Sequence, residues 1–324
     1  ELDQLDPAHF DYVVLDEAHH GSASSYQAIL RHLRPRILLG LTATPERMDS
    51  IDIRADFGGS YSHELRLPDA VEARLLAPFH YYGIDDHPDV DLSKVRWSAG
   101  RYEPAQLERV FGGNDARALW ILRQLHEHVA NPRQIRALGF CVNQAHAGFM
   151  AKYFNDRGIP SIVLTAESPR DLRERARQQL VARQVNVIFT VDLYNEGVDI
   201  PEVDTVLLLR PTESLTVYLQ QLGRGLRLHP EKAQLTVLDF IAPQNRQFRF
   251  AQRFRALSLG KPGERPRIDK EVEEGFGWLP SGCLIRLTKK AQQHVLDNIR
   301  AQIGLNRPRL EHELRSLMQQ LGRR

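Results

Sequence analysis

The chain has 324 residues, of which 42% are hydrophobic and 26% charged. That length suggests two domains, and the balance excludes a disordered chain; no apolar run reaches the ~18 residues of a membrane span. The net charge of +2 hides an asymmetry: residues 1–90 hold 16 acids against 7 bases, the remainder 25 against 36. A basic C-terminal part suits a polyanionic partner, or else an arginine-rich composition spread over solvated helix faces.

The chain opens on Glu1 and runs almost at once into an apolar strand, which predicts a piece of a longer protein. Tyr12–His20, YVVLDEAHH, is an apolar run ending in two acids. Arg36–Arg47, RILLGLTATPER, is a second, ending in small and hydroxyl residues. Both read as buried parallel strands with polar C-terminal tips, where open α/β sheets place their ligands. Residues 58–114 mix Gly, Pro and Asp with aromatics and read as a connector with short strands or turns.

A second alternation follows. Helices are expected over 115–129, 144–157, 169–183 and 214–226. Strands are expected over 137–142, 161–164, 185–191, 205–209 and 234–240. Such alternation predicts a doubly wound parallel sheet. Beyond Ile241 come a basic helical stretch with Phe248, Phe250 and Phe254, an exposed linker over 260–275, a strand over 283–287 and two basic helices. The three phenylalanines read as core residues, with base stacking the lesser alternative. Cys141 and Cys283 have no local partners. They make neither a disulfide framework nor a zinc site, and a reducing, cytoplasmic setting is expected.

Four local patterns carry chemistry. Asp16-Glu17-Ala18-His19 puts two carboxylates at a strand tip: one to hold Mg²⁺ through water, one to orient the attacking water in nucleotide hydrolysis. Taken singly, the acids serve as well as helix caps. Thr42-Ala43-Thr44-Pro45 offers hydroxyls at a second tip, or an N-cap with Pro at the first helical position. QQLGRGLR sets Gln220, Arg224 and Arg227 along a helix, either aimed at a γ-phosphate or forming a solvated basic face. TVDLYNEGVDIP, from Thr190, reads as a strand, a tight loop through Gly197 and Asp199, and a turn into the next strand.

In their order along the chain the four patterns resemble the superfamily 2 helicases and translocases of the DEAH-box type. The resemblance implies α/β architecture with tandem RecA-like doubly wound parallel sheets, the first truncated, and a small α+β C-terminal extension. It implies ATP and Mg²⁺ as cofactors and a nucleic acid, DNA in preference, as partner. Asp16 would hold Mg²⁺ through water and Glu17 would direct the hydrolytic water. His19 would couple that site to Gln220, and Arg224 and Arg227 would face the phosphates. Gly197 and Asp199 would sense nucleotide near the ribose. Thr42 and Thr44 would couple hydrolysis to strand movement. Thr190, Phe140, Asn143 and Thr165 would lie where such proteins touch the nucleic-acid backbone.

The stretches PFHYYGIDD, VRWSAGRYE, GNDARALWIL and FGWLPSGCLIRL are similar to bacterial helicases with an upstream phospholipase D-like nuclease domain and a C-terminal domain of unknown function. The implied division is 1–78 for the end of the first RecA-like domain and 79–114 for a connector. Residues 115–241 would be the second RecA-like domain and 242–324 the extension. One departure stands out. A P-loop needs Gly-x-x-x-x-Gly-Lys, yet the first lysine is Lys94, and the Gly260-Lys261 pair is followed by Pro262. The isolated chain is therefore expected not to hydrolyse ATP, while its parent does. A non-enzymatic nucleic-acid clamp and an RNA helicase are the competing readings.

Overall fold

The computed structural model describes residues 2–18, 24–42, 56–191, 200–260 and 267–302. The chain divides into two compact units: residues 1–65 with Ser214–Leu219, and residues 66–213 with 220–324.

In the first unit, β1 (Tyr12–Leu15) and β2 (Ile37–Gly40) pair in parallel, joined through α1 (Ser24–His32). Parallel neighbours need such a crossover. Residues in register share a face, so Tyr12 and Val14 lie beside Ile37 and Leu39. These four are 60%, 52%, 45% and 38% exposed, whereas Leu15 on the opposite face is buried. One side of this two-stranded sheet is thus apolar and open.

The second unit begins with α2 (Leu67–Glu72), β3 (Phe79–Asp85), β4 (Trp97–Ser98), β5 (Arg101–Tyr102) and α3 (Pro104–Phe111). Next come α4 (Asp115–His128), β6 (Ala137–Phe140), α5 (Gln144–Asn155), β7 (Ser161–Thr165), α6 (Arg170–Val181), β8 (Val187–Val191) and β9 (Thr205–Leu208). Then follow α7 (Leu215–Gly225), of which only the part from Gln220 belongs to this unit, β10 (Leu235–Ile241), α8 (Phe250–Leu257), α9 (Ile268–Glu274), β11 (Leu284–Leu287) and a helix over residues 289–302. Seven strands form one sheet in the order β11-β3-β10-β9-β6-β8-β7, each pair parallel. Asn114 and Asn143 start α4 and α5 by accepting the N–H of Arg117 and His146.

The stretch expected to connect the domains contributes β3, between β10 and β11, and the C-terminal extension contributes β11 itself. Gly83 explains the close fit: a Cβ there would lie 2.3 Å from Leu287 Cδ2 and 3.0 Å from Ile241 Cδ1. Tyr102 anchors the β4–β5 hairpin. Its hydroxyl donates to Gln244 (2.8 Å) and accepts the Asn245 N–H (2.7 Å). The linker expected over 260–275 needs correction at its end, because α9 buries Ile268 and Val272, an i, i+4 pair on one face. Residues 261–266 lie outside the described residues. Phe248, Phe250 and Phe254 are core residues, at most 2% exposed.

Candidate nucleotide and nucleic-acid site

The two motifs of the first unit form one tip. Leu15 pairs with Gly40, so the chain leaves β1 through Asp16-Glu17 beside the point where it leaves β2 through Leu41-Thr42. The Leu41 N–H donates to the Leu15 carbonyl (2.9 Å) and the Ala18 N–H to the Leu41 carbonyl (2.8 Å). Between these bonds Glu17 sits at φ +50°, the left-handed region, which is costly for a side chain with a Cβ. Its N–H donates to Asp16 Oδ1 (2.9 Å), and the Tyr26 hydroxyl donates to the Asp16 carbonyl (2.8 Å). Glu17 Oε2 is shielded from solvent, while Asp16 is exposed. The pair therefore splits into an outward carboxylate and a sheltered one. His19 and Thr44 lie outside the described residues.

In the second unit, β9, β6, β8 and β7 end side by side. Asn143 and Thr165 are half-buried there. Asn143 Oδ1 is engaged by the His146 N–H (2.8 Å), and the Thr165 N–H donates to Ser168 Oγ (2.9 Å). Phe140 and Thr190 are sealed in the sheet at 1% and 0% exposure. The Phe140 carbonyl accepts the Leu209 N–H, and the Thr190 carbonyl the Cys141 N–H. Thr190 Oγ1 has no hydrogen-bond partner among the described residues. Outward polar chemistry at this edge therefore comes from the neighbours of Phe140 and Thr190.

A buried cluster supports this edge, and sequence reasoning missed it. Arg117, 2% exposed, grips Asp86 with two bonds, Nε to Oδ1 and Nη2 to Oδ2, both 2.9 Å. Nη2 also donates to the Leu209 carbonyl (3.1 Å) at the end of β9, and Nη1 lies 3.4 Å from His146 Nε2. Phe111 stacks on His146, and the guanidinium lies 4.6 Å from the Phe111 centroid. Burial, reinforced by the Arg117 charge, holds the His146 pKa down at about 3. Burial pushes the Cys141 thiol up to about 12, so it is inert as a nucleophile.

On α7, Gln220 and Arg224 are half-buried, as is Arg227 just beyond it. Between them Gly225 is a packing residue: a Cβ would lie 2.2 Å from Leu235 Cδ1. Gln221 beside Gln220 is fully buried and accepts from Thr212 Oγ1 (3.1 Å). Lys232 returns under the helix end and donates to three carbonyls: Pro201 (2.6 Å), Val203 (2.9 Å) and Gly225 (3.0 Å). Burial lowers its pKa to about 8. Gly197 and Asp199 lie outside the described residues. Among the described residues no three His, Cys, Asp or Glu side chains gather as a metal cluster. No described helix is long and apolar enough to cross a membrane.

Two family models match: "Type III restriction enzyme, res subunit" over residues 1–47 and "Helicase conserved C-terminal domain" over residues 120–229. A putative ATP-dependent helicase of Saccharomyces cerevisiae, IRC3, is 28% identical over 246 residues, 74% of this chain and 35% of that protein. The type I restriction enzyme EcoAI endonuclease subunit of Escherichia coli is 26% identical over 270 residues, 73% of this chain and 32% of that one. The chain thus spans about a third of the length of these relatives. The fragment structure of a putative HsdR subunit of a type I restriction enzyme from Vibrio vulnificus YJ016 has the same fold. Its TM-score is 0.60 at 19% identity, over 88% of this chain and 49% of that one. With one model on the acidic strand tip and the other over β6 to β9 and α7, the chain is similar, in both segments, to the superfamily 2 helicases and translocases.

Proposed function

We propose that this chain is part of an ATP-driven translocase or helicase acting on DNA, within a longer protein that supplies the phosphate-binding loop. The observation that carries the proposal is the tip around Glu17. A left-handed, sheltered glutamate stands beside an exposed aspartate, and the flanking Leu15 and Ala18 are hydrogen-bonded to Leu41 of the neighbouring tip that bears Thr42. Backbone strain of this kind concentrates at functional sites.

ATP and Mg²⁺ would supply the driving phosphoryl chemistry. Asp16 would hold the ion through water, with one oxygen already committed to the Glu17 N–H. Glu17 would orient the attacking water. Arg224 and Arg227 would neutralise charge on the transferred phosphoryl, and Gln220 with His19 would report its presence. Gly197 and Asp199 would meet the ribose end, and Thr42 and Thr44 would couple hydrolysis to movement of the polymer. Asn143 and Thr165 would meet the DNA backbone, with Phe140 and Thr190 setting their positions from within. The preference for DNA rests on the restriction-enzyme kinship of residues 1–47 and of the EcoAI subunit. A nuclease domain in the same longer chain, of the phospholipase D-like kind, belongs to this reading.

The test is Glu17→Gln in the longer protein. DNA-stimulated ATP hydrolysis should fall about 10²–10⁴-fold, the usual worth of a positioned general base, with ATP-independent DNA binding retained. Unchanged hydrolysis would overturn the motor in favour of a clamp. Stronger stimulation by RNA than by DNA oligonucleotides would move the assignment to an RNA helicase. Hydrolysis by the 324-residue chain alone would overturn the assignment of the phosphate cradle to another segment.

A further inference from the structure

We propose that Lys232 is a positioning residue that sets the spacing between the loop entering β9 and the end of α7. The inference rests on the nucleotide roles given above to Asp199, Arg224 and Arg227. Lys232 is 8% exposed, and all three of its ammonium protons are spent. Two go to Pro201 and Val203, the third to Gly225. Pro201 lies two residues beyond Asp199. Gly225 follows Arg224 and precedes Arg227 by two. One ammonium therefore joins two segments, each within two residues of a group expected at the nucleotide.

A plain helix cap would explain less. A lysine can satisfy a C-terminal carbonyl from the surface without losing its hydration. This one is buried, and only one of its bonds reaches the helix. The helix end is held independently: Gly225 is pressed against Leu235, and the Leu226 carbonyl accepts the Ala77 N–H (2.7 Å). What Lys232 adds is the loop. Its own position is fixed by its N–H, which donates to the His229 carbonyl (3.0 Å). Asp204 and Glu202, in and beside the loop, favour the ammonium, and Arg227 opposes it. Asp204 is meanwhile occupied by the Arg136 N–H and the Thr205 hydroxyl. Loop and helix are thus coupled through one cation, and movement of either is felt by the other.

Two arms test this. In the 324-residue chain, Lys232→Met should speed amide hydrogen exchange in residues 200–203 and 224–228 by about tenfold or more, leaving β6 and β9 unchanged. Lys232→Gln, which keeps two donors on a shorter stem, should give an intermediate effect and guards against a misfolded first variant. In the longer protein the same changes should lower kcat by roughly 10–100-fold, as for a small misplacement of reacting groups, with KM for ATP moving less than about threefold. A wild-type protein with no ATPase would end the motor reading and leave the exchange arm to decide the strut. Exchange in both segments indistinguishable from wild type, or kcat unchanged in an active enzyme, would overturn the role of Lys232.

Discussion

The most direct probe of the seven-stranded unit is the Asp86–Arg117 pair. Asp86→Ala leaves a guanidinium in the interior with the Leu209 carbonyl and the Phe111 face for company. Arg117→Met leaves a carboxylate retaining the His87 N–H at 2.8 Å. Removing one partner of a buried, bidentate pair costs about 3–5 kcal/mol, because the other charge stays desolvated. Against a domain stability of about 5–15 kcal/mol, that is a large share. With a urea m-value of about 2 kcal/mol/M, the midpoint should drop by roughly 2 M. The double variant Asp86→Ala/Arg117→Met removes both charges and should cost about 1.5–3 kcal/mol less than the sum of the singles. Tryptophan fluorescence follows this unit alone, since Trp97, Trp120 and Trp278 all lie in it. Trp120 is a near reporter, donating its indole N–H to the Asp85 carbonyl at 2.9 Å. Single variants costing less than about 1 kcal/mol, or strict additivity in the double, would refute the reasoning.

His146 makes the same unit acid-sensitive. Its imidazole stays neutral when folded down to about pH 3 but takes a proton near pH 6.5 when unfolded. Its contribution is complete above pH 6.5 and falls by up to about 1.4 kcal/mol per unit as pH drops towards 3. Between pH 7 and pH 5, wild type should lose about 2 kcal/mol that His146→Gln does not, read from urea titrations at the two values. Two glycines should respond with opposite signs in the same assay. Gly148 in α5 is exposed with open space around it, so Gly148→Ala should stabilise by about 0.5–1 kcal/mol. Gly139→Ala would put a Cβ 2.5 Å from the Phe189 ring and should destabilise by about 1–3 kcal/mol.

The local elements were legible where periodicity and punctuation agreed. The apolar runs at Tyr12 and Ile37 end in polar tips, and Asn114 and Asn143 mark their helix starts. β3 was harder because its aromatics and Gly83 look like turn chemistry; its strand state is settled by β10 and β11, some 150 and 200 residues away in sequence. α9 was hidden by flanking Gly, Pro and charge, although Ile268 and Val272 already carry its stripe. At the site, the meeting of the Glu17 and Thr42 tips follows from parallel pairing. The sealing of Phe140 and Thr190 does not, because a motif position leaves open which neighbours cover the strand. Arg117 offered one clue, a charge just before the apolar stripe Ala118, Ile121, Leu122 and Leu125. Lys232 offered none, since its partners are main-chain carbonyls, which every residue has.

The basic surplus of the C-terminal part also changes meaning once its partners are known. Arg117 and Arg253 are spent on Asp86 and Asp239 inside the fold, and Arg136 on Glu231. On the surface of α6, Arg175 pairs with Asp171 (2.5 Å) and Arg177 with Glu174 (2.8 Å). Only a cation that reaches a phosphate releases a counterion, so formal charge overstates the electrostatic footprint. For single-stranded DNA each phosphate contact contributes about 0.7 to the slope of log K against log salt. Arg175→Ala should therefore leave the slope of the 324-residue chain unchanged within about 0.2, because its charge is already answered within the helix. A fall of about 0.7 would show that DNA wins Arg175 from Asp171 and that α6 belongs to the nucleic-acid interface.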